Sequence, residues 1–127
     1  MKRALGIALV ALLALAAAGL FAGCGCQDQA VEQTTGKIDV AKDAAAQAEI
    51  MSVKTGIQAF IASSNTLPPD ASQTTLGGFV DPWPTNPWTT APMKAGDAVG
   101  DYVYTPGSGT SFTLGVHLSD GTTYTAP

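Results

Sequence analysis

The chain has 127 residues and a mass of 12.9 kDa, with ten acidic and six basic side chains. That size leaves room for one small domain, and an acidic chain without a Lys/Arg cluster excludes nucleic acid and anionic headgroups as electrostatic partners. Cys24 and Cys26, the two cysteines, are too close for an ordinary structural disulfide and too few for a zinc site, and the single histidine, His117, lies far along the chain.

Taken in chain order, Lys2 and Arg3 precede an uncharged apolar run from Ala4 to Gly23. A positive n-region joined to an apolar h-region is the pattern of an export signal. It ends in "LFAGC", where the small residues Ala22 and Gly23 precede Cys24. A lipoprotein signal peptidase needs small residues there, and the cysteine thiol carries the diacylglycerol. The stretch resembles a bacterial lipobox, with Phe21 where leucine is commoner, and implies removal of 1–23 and lipidation of Cys24. About twenty apolar residues also suffice to span a bilayer, so an uncleaved anchor is the competing expectation. The segment 24–127 keeps Lys37, Lys42, Lys54 and Lys94 against all ten acids, a net charge of −6. Attachment to a membrane therefore has to come from lipid or from a spanning segment.

Residues 24–37 are polar and carry no apolar period, which predicts a tether. A helix is predicted over 38–63, because Ala46, Ile50, Val53, Ile57 and Phe60 recur at alternating spacings of four and three. Asn65 can cap it in the left-handed conformation, and Pro68 and Pro69 forbid continuation. Residues 70–100 are rich in Gly, Pro and Thr and read as loop, with one short strand at 78–80. Alternation then resumes. "DYVYT" puts Tyr102 and Tyr104 on one face. "SFTLGVHL" sends Phe112, Leu114, Val116 and Leu118 to one face and leaves His117 on the exposed one, and "TTYT" closes the sheet. Three antiparallel strands with one apolar face need a cover, and the long helix is the only element able to supply it. The expected fold is therefore α+β: one long N-terminal amphipathic helix packed on a small C-terminal antiparallel sheet, in a domain spanning 38–127.

This order of anchor, helix, proline-marked stop, irregular loop and small sheet resembles the type IV pilin and pseudopilin group. The local match is to the G-type major pseudopilin of type II secretion systems. "SSNTLPPD" is similar to their Asn-x-x-Pro helix stop, "DPWPTNPW" to their Asp-Pro-Trp-x-Asn-Pro-aromatic loop, and "GDYVYTPGSGTSFTLGVHLSDG" to the strands that follow. The resemblance implies a pilin-like fold, contact with other cell-envelope or secretion-machinery proteins, and a structural role for the loop. In that family a leader ends in Gly and the fifth residue after it is Glu; Gly6 fits the first requirement, and Ala11 stands in place of the second. The family also carries a calcium site between its last strands. Here only Asp120 lies in that turn, leaving Asp97, Asp101 and Asp120 as the calcium candidates, well short of the six to eight oxygens the ion takes.

The loop itself, Asp81 to Thr90, places Trp83 and Trp88 among Pro82, Pro84 and Pro87. Each proline fixes φ and removes a donor, which favours a stiff connection. Asp81 and Asn86 are suited to Asx-turns, and the two indoles supply apolar area to a small core. The alternative is a surface lipoprotein that stacks a glycan or peptide on Trp83 and Trp88. No nucleophile elbow, phosphate loop or motif-placed carboxylate pair is present, so no enzymatic activity is expected and no cofactor is called for. The reading is an exported protein, anchored on the extracytoplasmic side of a membrane, that works by protein–protein contact.

Overall fold

The computed structural model describes residues 27–127, with side chains from Thr34 onward. The lipobox-like stretch, Cys24 and Cys26 lie outside the described residues. The chain divides into the units Met1–Gly36 and Lys37–Pro127, and the second holds the core.

Helix α1 spans Gln27–Ser64, so the polar stretch from Gln27 that reads as tether in the sequence is helical. The stretch has no apolar stripe, and a helix without one carries no periodic signal. Residues 34–37 are all exposed. From Ala46 onward the expected stripe appears: Ala46, Ile50, Val53 and Ile57 are fully buried, and Phe60 is partly buried against the same cluster. Spacings of four and three keep these side chains on one face of a 3.6-residue helix, and each fully buried Ile contributes about 1.5–3 kcal/mol relative to exposure. The helix stops at Asn65, whose φ of 58° is the left-handed cap and whose N–H reaches back 2.7 Å to the Ile61 carbonyl.

The strand expected at 78–80 does not form. A helical turn, α2 (Gln73–Leu76), precedes that stretch, and Phe79 and Val80 sit in the turn that follows it. Side chains rather than periodicity nucleate α2. The Ser72 hydroxyl oxygen accepts the Thr75 N–H, while Asp70 Oδ1 accepts from Ser72 N at 3.0 Å and from Thr75 Oγ1 at 2.7 Å. Those bonds hold the Asp70 carboxyl below the usual carboxylate range. The turn delivers Leu76 and Val80 to the core. Val80 fits over Gly56 of α1, where a Cβ would come within 2.1 Å of a Val80 methyl.

Strands β1 (Tyr102–Pro106), β2 (Phe112–His117) and β3 (Thr123–Thr125) form an antiparallel sheet in the order β1-β2-β3. Tyr102 stands opposite Val116, Tyr104 opposite Leu114, and Val116 opposite Tyr124. Tyr102, Leu114, Val116 and Leu118 are buried with the α1 stripe in one cluster, while Val103 on the other face is exposed. The β2–β3 turn is tied directly to α1: Asp43 accepts hydrogen bonds from the Ser119 N–H and hydroxyl at 2.8 and 2.7 Å.

His117 corrects the sequence reading. It is half-buried rather than exposed: Nδ1 lies 3.0 Å from the Thr123 hydroxyl, and Nε2 is buried with no partner among the described residues. Thr123 sits directly across from it on β3, a cross-strand neighbour that alternation along one strand does not register.

Truncating Ile50 to alanine removes a fully enclosed side chain and is expected to cost about 2–5 kcal/mol, whereas Val40→Ala at an exposed position of the same helix costs less than about 0.5 kcal/mol. Urea unfolding of the two variants checks this. Equal losses would contradict the packing described.

Candidate functional site

The Trp–Pro loop is the segment the sequence singles out, and its backbone has a definite local form. An antiparallel bridge joins Thr85 to Pro92. Asn86 N–H donates to Ala91 O at 2.8 Å, Thr90 N–H to Asn86 O at 2.8 Å, and Met93 N–H to Pro84 O at 2.9 Å. Residues 84–93 therefore fold back on themselves as a tight hairpin-like excursion, with Thr90 in the left-handed region at φ 58°. The Asp81–Pro82 peptide is cis.

Asn86 is the centre of this excursion. It is 2% exposed, and its side chain bonds three backbone groups on two segments of the chain. The Oδ1 accepts the Trp88 N–H at 2.9 Å and the Thr89 N–H at 3.4 Å, an Asx-turn of the kind the residue type suggests. The Nδ2 donates to the Val99 carbonyl at 3.0 Å and reaches Asp101 Oδ1 at 3.5 Å. Gly100 makes this approach possible: its φ is +81°, and a Cβ there would lie within 2.4 Å of the Asn86 amide. A bulkier residue would be strained by its backbone and would displace the asparagine.

The two tryptophans play different parts. Trp83 is 9% exposed, belongs to the core, and donates its indole N–H to the Met93 carbonyl at 2.9 Å. Trp88 is half-buried against the same core. Asp81, in contrast, is exposed and makes no Asx-turn among the described residues. The loop thus brings together Trp83, Asn86 and Trp88 and leaves Asp81 outside. Sequence reasoning missed Met93, Val99 and Gly100 as partners; the glycine just before the Asp101-Tyr102 pair was the available signal.

The calcium candidates are not assembled. Asp101 is buried beside Asn86, Asp97 is exposed, and the exposed Asp120 accepts from the Thr122 N–H and hydroxyl, which keeps its carboxyl below the usual range. Among the described residues no three His, Cys, Asp or Glu side chains converge on a point that could hold a metal.

Two tyrosines tie the sheet to the segment after the helix. The Tyr102 hydroxyl donates to the Ala71 carbonyl at 2.7 Å, and the Tyr104 hydroxyl to the Pro68 carbonyl at 3.1 Å. Burial, reinforced by the nearby Asp70 and Asp101 charges, pushes the Tyr102 phenol up to about 12, so it stays a donor. Burial and Asp70 likewise raise Tyr104.

No family model matches the chain, and no curated protein or solved structure matches it either.

Asn86→Ala leaves the Trp88 and Thr89 N–H groups and the Val99 carbonyl without their partner, and is expected to lower stability by about 3 kcal/mol, at roughly 1–3 kcal/mol for each buried unpaired group. Chemical denaturation measures it. A change under about 0.5 kcal/mol would show that the clasp contributes little.

Proposed function

We propose that this protein is an exported, lipid-anchored, pilin-like component of a cell-envelope machine of the type II secretion or type IV pilus kind. It acts by protein–protein contact, not by catalysis. One observation carries this reading: the Asp-Pro-Trp…Asn-Pro loop is folded into the core, with Trp83 enclosed and its N–H committed to Met93. A glycan- or peptide-stacking platform needs open ring faces, and Trp83 offers none. The loop therefore serves as structure, as the resemblance to pseudopilins implies.

Other features agree with a contact role. Helix α1 carries exposed apolar side chains, with Ile38 at 49% and Val40 at 68%, on a surface that the sheet does not cover. This reading places the anchor on Cys24, at the end of the lipobox-like stretch "LFAGC".

Lys37, Lys42 and Lys54 lie along α1 and provide reactive handles. Amine-specific cross-linking of intact host membranes, followed by intact-mass analysis, is expected to give discrete heavier adducts of a chain that begins at acylated Cys24. A chain beginning at Ile7 would overturn the lipid anchor, and uncross-linked monomer alone would overturn the contact role.

A further inference from the structure

The sheet has one edge with an unfinished ladder. In an antiparallel pair, successive residues turn their N–H and C=O groups alternately toward and away from the partner strand. On the β1 side, Asp101 accepts from His117 N at 3.0 Å and Gly107 donates to Ser111 O at 2.8 Å, so the odd-numbered residues face β2. Even-numbered residues face outward. Tyr102 accordingly donates outward to Lys94 O at 3.0 Å and accepts from Gly96 N at 3.2 Å, through a parallel bridge between Ala95 and Tyr102. That parallel lane holds only Lys94 to Gly96. At Asp97 the chain turns away, and the lane beside Tyr104 and Pro106 is left to other occupants.

A groove of about 610 Å³ lies along this position. Its lining includes Val103 from one face of β1 and Tyr102 and Tyr104 from the other, which puts it on the strand's edge rather than over either face. The segments around Ala71 and Lys94 form its walls. Tyr104 is held rigidly there, since its hydroxyl is fixed to Pro68.

We propose that this groove binds an extended segment of a partner protein by adding it as a strand beside Tyr104, in line with Lys94–Gly96. The Tyr104 N–H and C=O and the Pro106 C=O supply the main-chain bonds, and Pro106, lacking an N–H, ends the pairing. The charge of the walls selects the occupant. Asp70 and Asp97 line the groove against the single cation of Lys94, so the segment that fits is apolar and basic. The same carboxylates disfavour a second copy, which would bring its own Asp70 and Asp97 to the shared edge. This inference does not rest on the pilin-like reading.

The test uses the full chain in detergent and a blocked peptide of alternating valine and lysine, read by backbone NMR and amide exchange. At about ten times the peptide's Kd, mass action should slow Tyr104 N–H exchange about tenfold, with shifts confined to the groove. Asp97→Asn, at an exposed side chain without hydrogen bonds among the described residues, should weaken binding several-fold. An alternating valine–glutamate peptide should bind more weakly, and a backbone N-methylated version should not protect Tyr104. Absence of localised shifts at millimolar peptide would overturn the proposal, as would equal binding of the N-methylated peptide. Tyr104 protection that grows with protein concentration alone would also overturn it, by assigning the edge to a second copy.

Discussion

One buried amide joins the two halves of the irregular region. Asn86 accepts from the tip of the Trp–Pro loop and donates to the turn at Val99, immediately before β1 begins. Its side chain is almost wholly buried and makes four polar contacts, so breaking them would leave its amide without partners in a site largely closed to water. The loop cannot move without releasing the turn that starts the sheet, and the turn cannot move without unseating the loop. Gly100 is the complementary requirement, because only a residue without Cβ lets the backbone pass so close.

The need for such a clasp follows from the size of the core. Three short strands bury Leu114 and Val116 against α1, but the helix stripe runs further, from Ala46 to Phe60. Leu76, Val80, Trp83 and Met93 cover what the sheet does not, and all four come from the segment between helix and sheet. An irregular segment cannot be held by a ladder of its own, so point contacts fix it. These are the Ser72 cap, the indole of Trp83, the Asn86 amide and the two tyrosine hydroxyls. The prolines add stiffness by removing conformations the unfolded chain would otherwise sample.

What was legible in the sequence is what periodicity and turn chemistry encode. The buried stripe of α1, the Asn65 cap, the alternation of β1 and β2 and the Asx-turn of Asn86 all follow from local rules. The misses have a shared cause. Helix α2 depends on side-chain bonds among Asp70, Ser72 and Thr75, which leave no period, and the apolar pair Phe79 and Val80 then read as a strand. The polar start of α1 has no stripe to betray it. His117 was placed by alternation alone, which does not register its contact with Thr123 across the ladder. The long-range partners of the loop, Met93 and Val99, were unreadable because a carbonyl carries no residue-type signature.

The account stands on Trp83 being a core residue in a loop whose composition also suits a ligand platform. The direct measurement is the fluorescence of a Trp88→Phe variant, in which Trp83 is the remaining indole. Blue-shifted emission, barely quenched by acrylamide and unchanged by added saccharides, is the predicted result. Red-shifted, freely quenched emission that moves when a saccharide is added would contradict the account.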